Sequence, residues 1–168
     1  MKLKRLPEDF QVEELSEFAP ADSGEFALYR LTKRGLGTPE AINAVVERWK
    51  LARQQFSFGG LKDRHAVTTQ YLTIHRGPRR GLRQTNLELE FLGQSQRPFG
   101  PADFAGNRFR IVLRSINAAE VTAAETALSD IARDGLPNYF DDQRFGSLGD
   151  SSEFVARAWI AGDWERAL

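Results

Sequence analysis

The clearest structural signal in this sequence is an amphipathic helix pattern at residues 38–49. Apolar side chains recur there at helical spacing, at Ile42, Val45, Val46 and Trp49. Thr38 suits the N-cap of such a helix and Pro39 suits its first turn. We therefore predict a helix that buries one apolar face, with Trp49 in the core.

Most other patterned segments are typical of strands. They are residues 10–15, 25–33, 69–75, 87–93 and 108–116. The connection 94–107 carries Pro and Gly and is predicted to be an irregular loop that places Asn107 and Phe109. Together these patterns predict an α+β fold, with a mostly antiparallel sheet and helices packed on one side.

Two further helices are predicted after the strands. One covers residues 118–134, with Val121, Leu128 and Ile131 on its buried face and Gly135 as its stop. The other begins after Ser151 or Ser152, and its buried residues are predicted to be Phe154, Val155 and Trp159.

Composition excludes several classes of protein. The 168 residues are enough for one domain with a core, and we find no linker that would divide them. The formal net charge is zero, so a polyanion must be bound by a local basic patch. Without cysteine there is no disulfide or zinc finger, and we see no membrane-spanning apolar run or signal peptide. We expect a cytoplasmic protein.

The stretch 56–70, FSFGGLKDRHAVTTQ, carries the best candidate for chemistry. Asp63 lies there between Lys62 and Arg64, whose charges favour an ionised carboxylate that serves as nucleophile or base. Gly59 and Gly60 precede it and allow a sharp turn. The alternative from local pattern alone is an exposed turn with three solvated charges.

A second cationic segment follows the strand at 69–75. It contains Arg76, Arg79, Arg80 and Arg83 among glycine and proline, so it is not helical. Such a segment is either a clamp for nucleic-acid phosphates or a solvated loop.

Other constellations are weak. His65 and His75 lack metal-ligand spacing, and no phosphate-binding loop is present. The adjacent pairs Glu13–Glu14 and Asp141–Asp142 are interpreted as exposed charge. What remains is one carboxylate, loop aromatics and local cations, which suits chemistry on a base taken out of its stack. Phe10, Asn107 and Phe109 suit contacts with such a base, although either Phe also suits an ordinary core.

Four sequence blocks together resemble the TruD family of tRNA pseudouridine synthases. In the family's order and at similar spacing they are PEDFQVEE at Pro7–Glu14, FSFGGLKDRHAVTTQ at Phe56–Gln70, GNRF at Gly106–Phe109 and NYFDDQRFG at Asn138–Gly146. The resemblance extends from about residue 3 to about residue 150. It implies that residues 1–168 form the N-terminal part of a TruD-like catalytic domain with no second domain.

The resemblance implies an enzyme that isomerises a uridine of tRNA, typically at position 13, without cofactor or metal. It places the essential catalytic residue at Asp63 and substrate contacts at Phe10, Asn107 and Phe109, while Asn138–Gly146 supports the cleft. We add Lys62, Arg64, Arg79 and Arg80 as candidate RNA-binding cations.

Two departures from the family pattern bear on this expectation. Asp141 stands where many members have Gly. TruD proteins are also longer, with a C-terminal segment that completes the catalytic sheet, so the resemblance implies a domain that is incomplete at its C-terminus. The alternative function is therefore a fragment that only binds RNA. We expect the complete protein to be a monomer and this chain alone to self-associate.

Overall fold

The computed structural model describes residues 2–136 and 154–167. The chain divides into two compact units, Met1–Asn117 and Ala118–Leu168, and each has its own architecture. Among the described residues, no helix is both long enough and apolar enough to cross a membrane.

The first unit is built on one seven-stranded sheet. Its strands in chain order are β1 (Phe10–Ser16), β2 (Phe26–Arg34), β3 (Phe56–Phe58), β4 (Val67–His75), β5 (Leu82–Gln84), β6 (Leu87–Ser95) and β7 (Phe104–Ile111). The spatial order is β5, β6, β2, β4, β1 and β7, and β3 also pairs with β4. Only β1 and β4 are parallel among these pairs. The predicted mostly antiparallel α+β fold is confirmed.

The predicted first helix is α1 (Thr38–Trp49), and it covers one face of the sheet. Ile42 and Val45 are buried in one apolar cluster with residues of β2, β3, β4 and β6. Trp49 packs against that cluster, with its ring 5.7 Å from the ring of Tyr29. The prediction of Thr38 as N-cap is wrong, because Gly37 occupies that position and Thr38 begins the helix.

Strand β7 differs from the predicted strand at 108–116. It begins at Phe104 and ends at Ile111, because it pairs with β1 along the whole length of that strand. Phe109 lies within a strand as predicted, whereas the prediction that Asn107 ends an irregular loop is wrong because β7 includes it. The three-residue strands β3 and β5 were too short for periodicity to indicate them.

The second unit contains three helices among its described residues: α2 (Ala118–Asp134), α3 (Val155–Ala161) and α4 (Trp164–Ala167). The predicted helix at 118–134 is confirmed, and Gly135 follows it with a φ of 80°. The predicted burial is wrong, since Val121, Leu128, Ile131 and Trp159 are all exposed. Helical spacing identifies the apolar face of a helix, but it does not show whether another part of the structure covers that face.

Candidate active site

The sheet brings three predicted site residues to one face. Residues directly opposite each other in a ladder point to the same side, and β1 and β7 align Phe10 with Ile111, Val12 with Phe109 and Glu14 with Asn107. Phe10, Asn107 and Phe109 therefore share one face. The pairing of Val12 with Thr68, and of Leu31 with Gln70, shows that this is the face covered by α1.

Asp63 lies in the loop between β3 and β4. Half of its side-chain surface is exposed, and its Oδ1 is 3.3 Å from Lys4 Nζ. The same Lys4 ammonium lies 3.7 Å from the centre of the Phe10 ring. One cation from the N-terminal segment thus joins the loop carboxylate to an aromatic side chain of β1.

The cations next to Asp63 in sequence point elsewhere. Lys62 Nζ lies 2.8 Å from Glu14 Oε2, and both side chains are buried. Arg64 Nη1 lies 3.0 Å from Glu40 Oε1 on the surface of α1. The prediction that Lys62 and Arg64 supply the charge beside Asp63 is wrong, because each is paired with a glutamate.

Buried polar side chains hold the backbone of the Asp63 loop. Lys33 Nζ donates to the carbonyls of Leu36, Lys62 and Asp63, at 2.7, 3.2 and 2.9 Å. The Lys62 amide donates to Thr38 Oγ1 at 2.9 Å, and that hydroxyl donates to Gln70 Oε1 at 2.8 Å. Gln70 Nε2 in turn donates to the Gly60 carbonyl at 3.1 Å. These contacts fix residues 60–63 through their own backbone groups.

The two glycines before Asp63 act differently from each other. Neither has a positive φ, so the predicted need for unusual backbone angles is wrong. A Cβ on Gly59 would lie 2.6 Å from Phe104 Cδ1 and 3.3 Å from Phe99 Cε1, whereas a Cβ on Gly60 would face open space. Gly59 therefore permits close packing of the loop against two aromatic rings.

One of the two aromatic side chains on this face is accessible to a ligand. Phe109 is 55% exposed, and its ring centre is 5.9 Å from that of half-buried Phe10, with an interplanar angle of 44°. Asn107 is also exposed on the same face. The arrangement combines a carboxylate, a cation, two aromatic rings and an amide, as expected for binding and reacting with a flat polar ring.

The predicted arginine cluster lies at the other end of the sheet. Arg79 and Arg80 follow the last residue of β4, whereas Asp63 precedes its first residue. Because a strand rises about 3.3 Å per residue, the two ends of this nine-residue strand are roughly 26 Å apart. Both arginines are exposed, and the structure does not bring them to Asp63.

Comparison with known proteins decides the family. The family model described as tRNA pseudouridine synthase D (TruD) matches residues 1–168. The chain belongs to the TruD family. A probable tRNA pseudouridine synthase D 2 of Methanocaldococcus jannaschii is 38% identical over 169 residues, and the tRNA pseudouridine synthase D of Aquifex aeolicus is 30% identical over 174 residues. Both matches cover 100% of this chain.

A solved TruD structure has the same fold. The crystal structure of the putative tRNA pseudouridine synthase D of Methanosarcina mazei matches 99% of this chain, with a TM-score of 0.79 and 31% identity. This chain spans 40% of that TruD chain, and 39% and 45% of the lengths of the two relatives above. The TruD block at Asn138–Gly146, with Asp141, lies outside the described residues.

Three residues of this TruD site were missed by sequence reasoning. Lys4 belongs to a short basic start, Lys33 ends a strand pattern, and Glu14 was interpreted as exposed charge. That interpretation of Glu14 is wrong, since its side chain is fully buried. Strand alternation was an available signal, because Glu14 lies on the same side of β1 as buried Val12. The same signal was available for Lys33, which lies on the same side of β2 as buried Leu31, whereas no local signal distinguishes Lys4 from a surface lysine.

Proposed function

We propose that this chain carries the catalytic aspartate of a tRNA pseudouridine synthase, and that Asp63 is its nucleophile or base. The observation that supports this most directly is the Asp63 carboxylate, half exposed on a loop held by buried hydrogen bonds and linked through Lys4 to Phe10, whose ring lies next to exposed Phe109. Membership of the TruD family supports the same reaction. Residues 1–168 then belong to the catalytic domain.

The reaction is an isomerisation of a uridine in tRNA, typically at position 13. The bond between the ribose and ring nitrogen N1 breaks, and a bond forms between the ribose and C5. The C5 proton leaves and N1 gains a proton, so no co-reactant is consumed. Asp63 takes part as the attacking carboxylate or as the group that accepts a proton.

Phe10, Phe109 and Asn107 are the proposed uridine contacts. A flipped base requires a ring or apolar surface for stacking and a polar group for its edge, and these three side chains provide both from one face of the sheet. Stacking on one aromatic side chain contributes about 1–3 kcal/mol. Replacing Phe109 with Ala should therefore weaken the binding of substrate by roughly fivefold or more.

Cations are proposed to hold the RNA backbone around this site. Lys4 lies beside Asp63, and Arg79 and Arg80 are exposed farther along the sheet. Arg64 is also exposed, although it is paired with Glu40. Lys62 is a weaker candidate for this role, because its ammonium is buried against Glu14. We also propose that the complete protein acts as a monomer in the cytoplasm.

The test replaces Asp63 with Asn in the natural gene product that contains these 168 residues. Release of tritium from tRNA carrying uridine labelled at C5 measures the reaction, and filter binding measures tRNA affinity. We expect the rate to fall by at least about a hundredfold, with tRNA affinity nearly unchanged. Asp22→Asn, which changes an exposed carboxylate outside the site, is the matched control.

Two results would contradict the proposal. An Asp63→Asn variant with a tenth or more of the wild-type rate would remove Asp63 from the catalytic role. A wild-type protein that binds tRNA but releases no tritium would favour the alternative, a module that only binds RNA.

A further inference from the structure

Lys33 is a buried lysine whose ammonium is bound by backbone alone. Only 1% of the residue is exposed, although it lies near the end of β2. Its three N–H groups donate to three carbonyls, and two of these belong to Lys62 and Asp63. Lysine is almost never fully buried unless it is paired, so this side chain has a role beyond packing.

The surroundings of Lys33 determine the pKa of its ammonium. Asp63 and Glu40 face it and raise its pKa, while Lys62 lowers it. Burial outweighs them and lowers the pKa of Lys33 to about 8. The ammonium is therefore held in a desolvated position where it serves the backbone of the Asp63 loop.

We propose that Lys33 is a positioning residue for Asp63, and that only its protonated form holds the loop in the reactive geometry. This inference rests on the proposed function of Asp63. A protonated amine has three N–H groups for the three carbonyls, whereas a neutral amine has two and presents a lone pair to the third. Loss of the proton therefore frees one of the carbonyls that order the loop.

A distinctive pH dependence follows from the position of Lys33. The rate should decline with a midpoint near pH 8 as the loop loses its ammonium. Over the same range global stability should change in the opposite direction. Between about 8 and 10.5 the unfolded chain binds the proton that the folded chain has lost, so the free energy of unfolding rises with pH. Decline of the rate would thus not reflect unfolding.

The kinetic experiment uses Lys33→Met and Lys33→Arg in the natural gene product, with Lys50→Met as a control at an exposed lysine. Single-turnover rates are measured at saturating tRNA from pH 6.5 to 9.5. We expect Lys33→Met to be slower by roughly tenfold to a hundredfold, as for a displaced catalytic group, with tRNA affinity unchanged. Lys33→Arg should recover part of the rate and lose the decline near pH 8, because guanidinium stays charged.

Groups that titrate in both proteins cancel in the ratio of the wild-type rate to the Lys33→Met rate. This ratio should fall above pH 8. A Lys33→Met variant within about twofold of Lys50→Met at pH 7, or one that keeps the full alkaline decline, would overturn the inference.

Hydrogen exchange provides a readout that does not depend on activity. The Lys62 amide is bound to Thr38 Oγ1, so its exchange reports on the loop. In wild-type protein, the protection of peptides covering residues 59–66 against exchange should decrease above pH 8, once the pH dependence of the intrinsic exchange rate is corrected for. The Lys33→Met variant should already lack this protection at pH 7. Wild-type protection that stays unchanged above pH 8 would overturn the inference, even if Lys33→Met folded poorly. A wild-type protein without synthase activity but with this exchange pattern would refute the proposed function alone.

Discussion

The buried pair between Glu14 and Lys62 leads to the sharpest prediction about stability. The Glu14 side chain is fully buried and the Lys62 side chain is 7% exposed, with 2.8 Å between Oε2 and Nζ. Glu14 Oε1 also accepts from the Tyr71 amide at 3.2 Å. Oε2 makes no aligned hydrogen bond, so the contact with Lys62 depends on charge. We predict that Glu14→Gln, which keeps the shape and removes the charge, strongly destabilises the protein.

The magnitude follows from the partner that is left behind. Removing one member of a buried ion pair leaves an uncompensated charge and costs about 3–5 kcal/mol. Removing both charges together, as in Glu14→Gln with Lys62→Met, is roughly neutral, because two desolvated charges disappear while the acceptor for the Tyr71 amide stays. The adjacent Glu13 provides the matched control. It pairs with Arg108 at 3.0 Å on the surface, and such exposed pairs contribute about 0–1 kcal/mol.

Urea unfolding of the natural gene product and its variants, followed by circular dichroism, measures these differences from the midpoints at a common slope. The single variants at Glu14 and Lys62 should each unfold at much lower urea than wild type, while the double variant should recover most of the loss. If Glu14→Gln cost no more than Glu13→Gln, the pair would not be desolvated and the reasoning would fail. A double variant as unstable as the sum of the two single variants would refute the charge argument.

Four further results are expected. Gly59→Ala should cost about 1–3 kcal/mol by overpacking and Gly60→Ala should be near neutral in thermal unfolding; equal effects would refute the close approach at Gly59. Replacing Arg79 and Arg80 with Ala should lower the salt slope of tRNA binding by up to about two units without changing the saturated single-turnover rate; an unchanged slope would mean that both are merely solvated. Arg114 binds Asp9 and lowers the pKa of its carboxyl, so the pair stabilises the fold above the ordinary pKa of Asp and loses this effect as the pH falls through the lowered value. The stability of Asp9→Asn should therefore approach that of wild type as the pH falls toward 3, and a difference that does not change with pH would refute this. The 168-residue chain alone should self-associate through the outer edge of β7; a monomer at high concentration in sedimentation would contradict it.

Local pattern was sufficient for the framework around the site. The apolar spacing of α1 and the alternation in β1, β2, β4 and β6 each arise within a single segment, so they can be identified from sequence. The same holds for Asp63, which was identified as a carboxylate in a loop after two glycines. The sharing of one face by Phe10 and Phe109 needed more, since it depends on the pairing of β1 with β7.

Local pattern did not predict the ionic partners of charged side chains, because these partners are distant in the sequence. Lys62 and Arg64 are next to Asp63 in the sequence, yet they form ion pairs with Glu14 and Glu40 respectively. The cation that does contact Asp63 is Lys4, which lies far away in the chain. Sequence proximity is a poor guide here because neighbouring side chains in an extended loop point in different directions.

The sequence by itself determined the family, the mostly antiparallel α+β framework and the candidate carboxylate Asp63, because these depend on local periodicity and on motifs of neighbouring residues. Only the tertiary structure decided which lysines contact the Asp63 loop and which glutamate is buried. Strand alternation places Lys33 and Glu14 on the inner face of the sheet, but it does not identify the groups that pair with their charges. Their burial comes from the folding of the loop at residues 60–63 over β1, β2 and β4, where contacts between distant segments remove water and select the ionic partners.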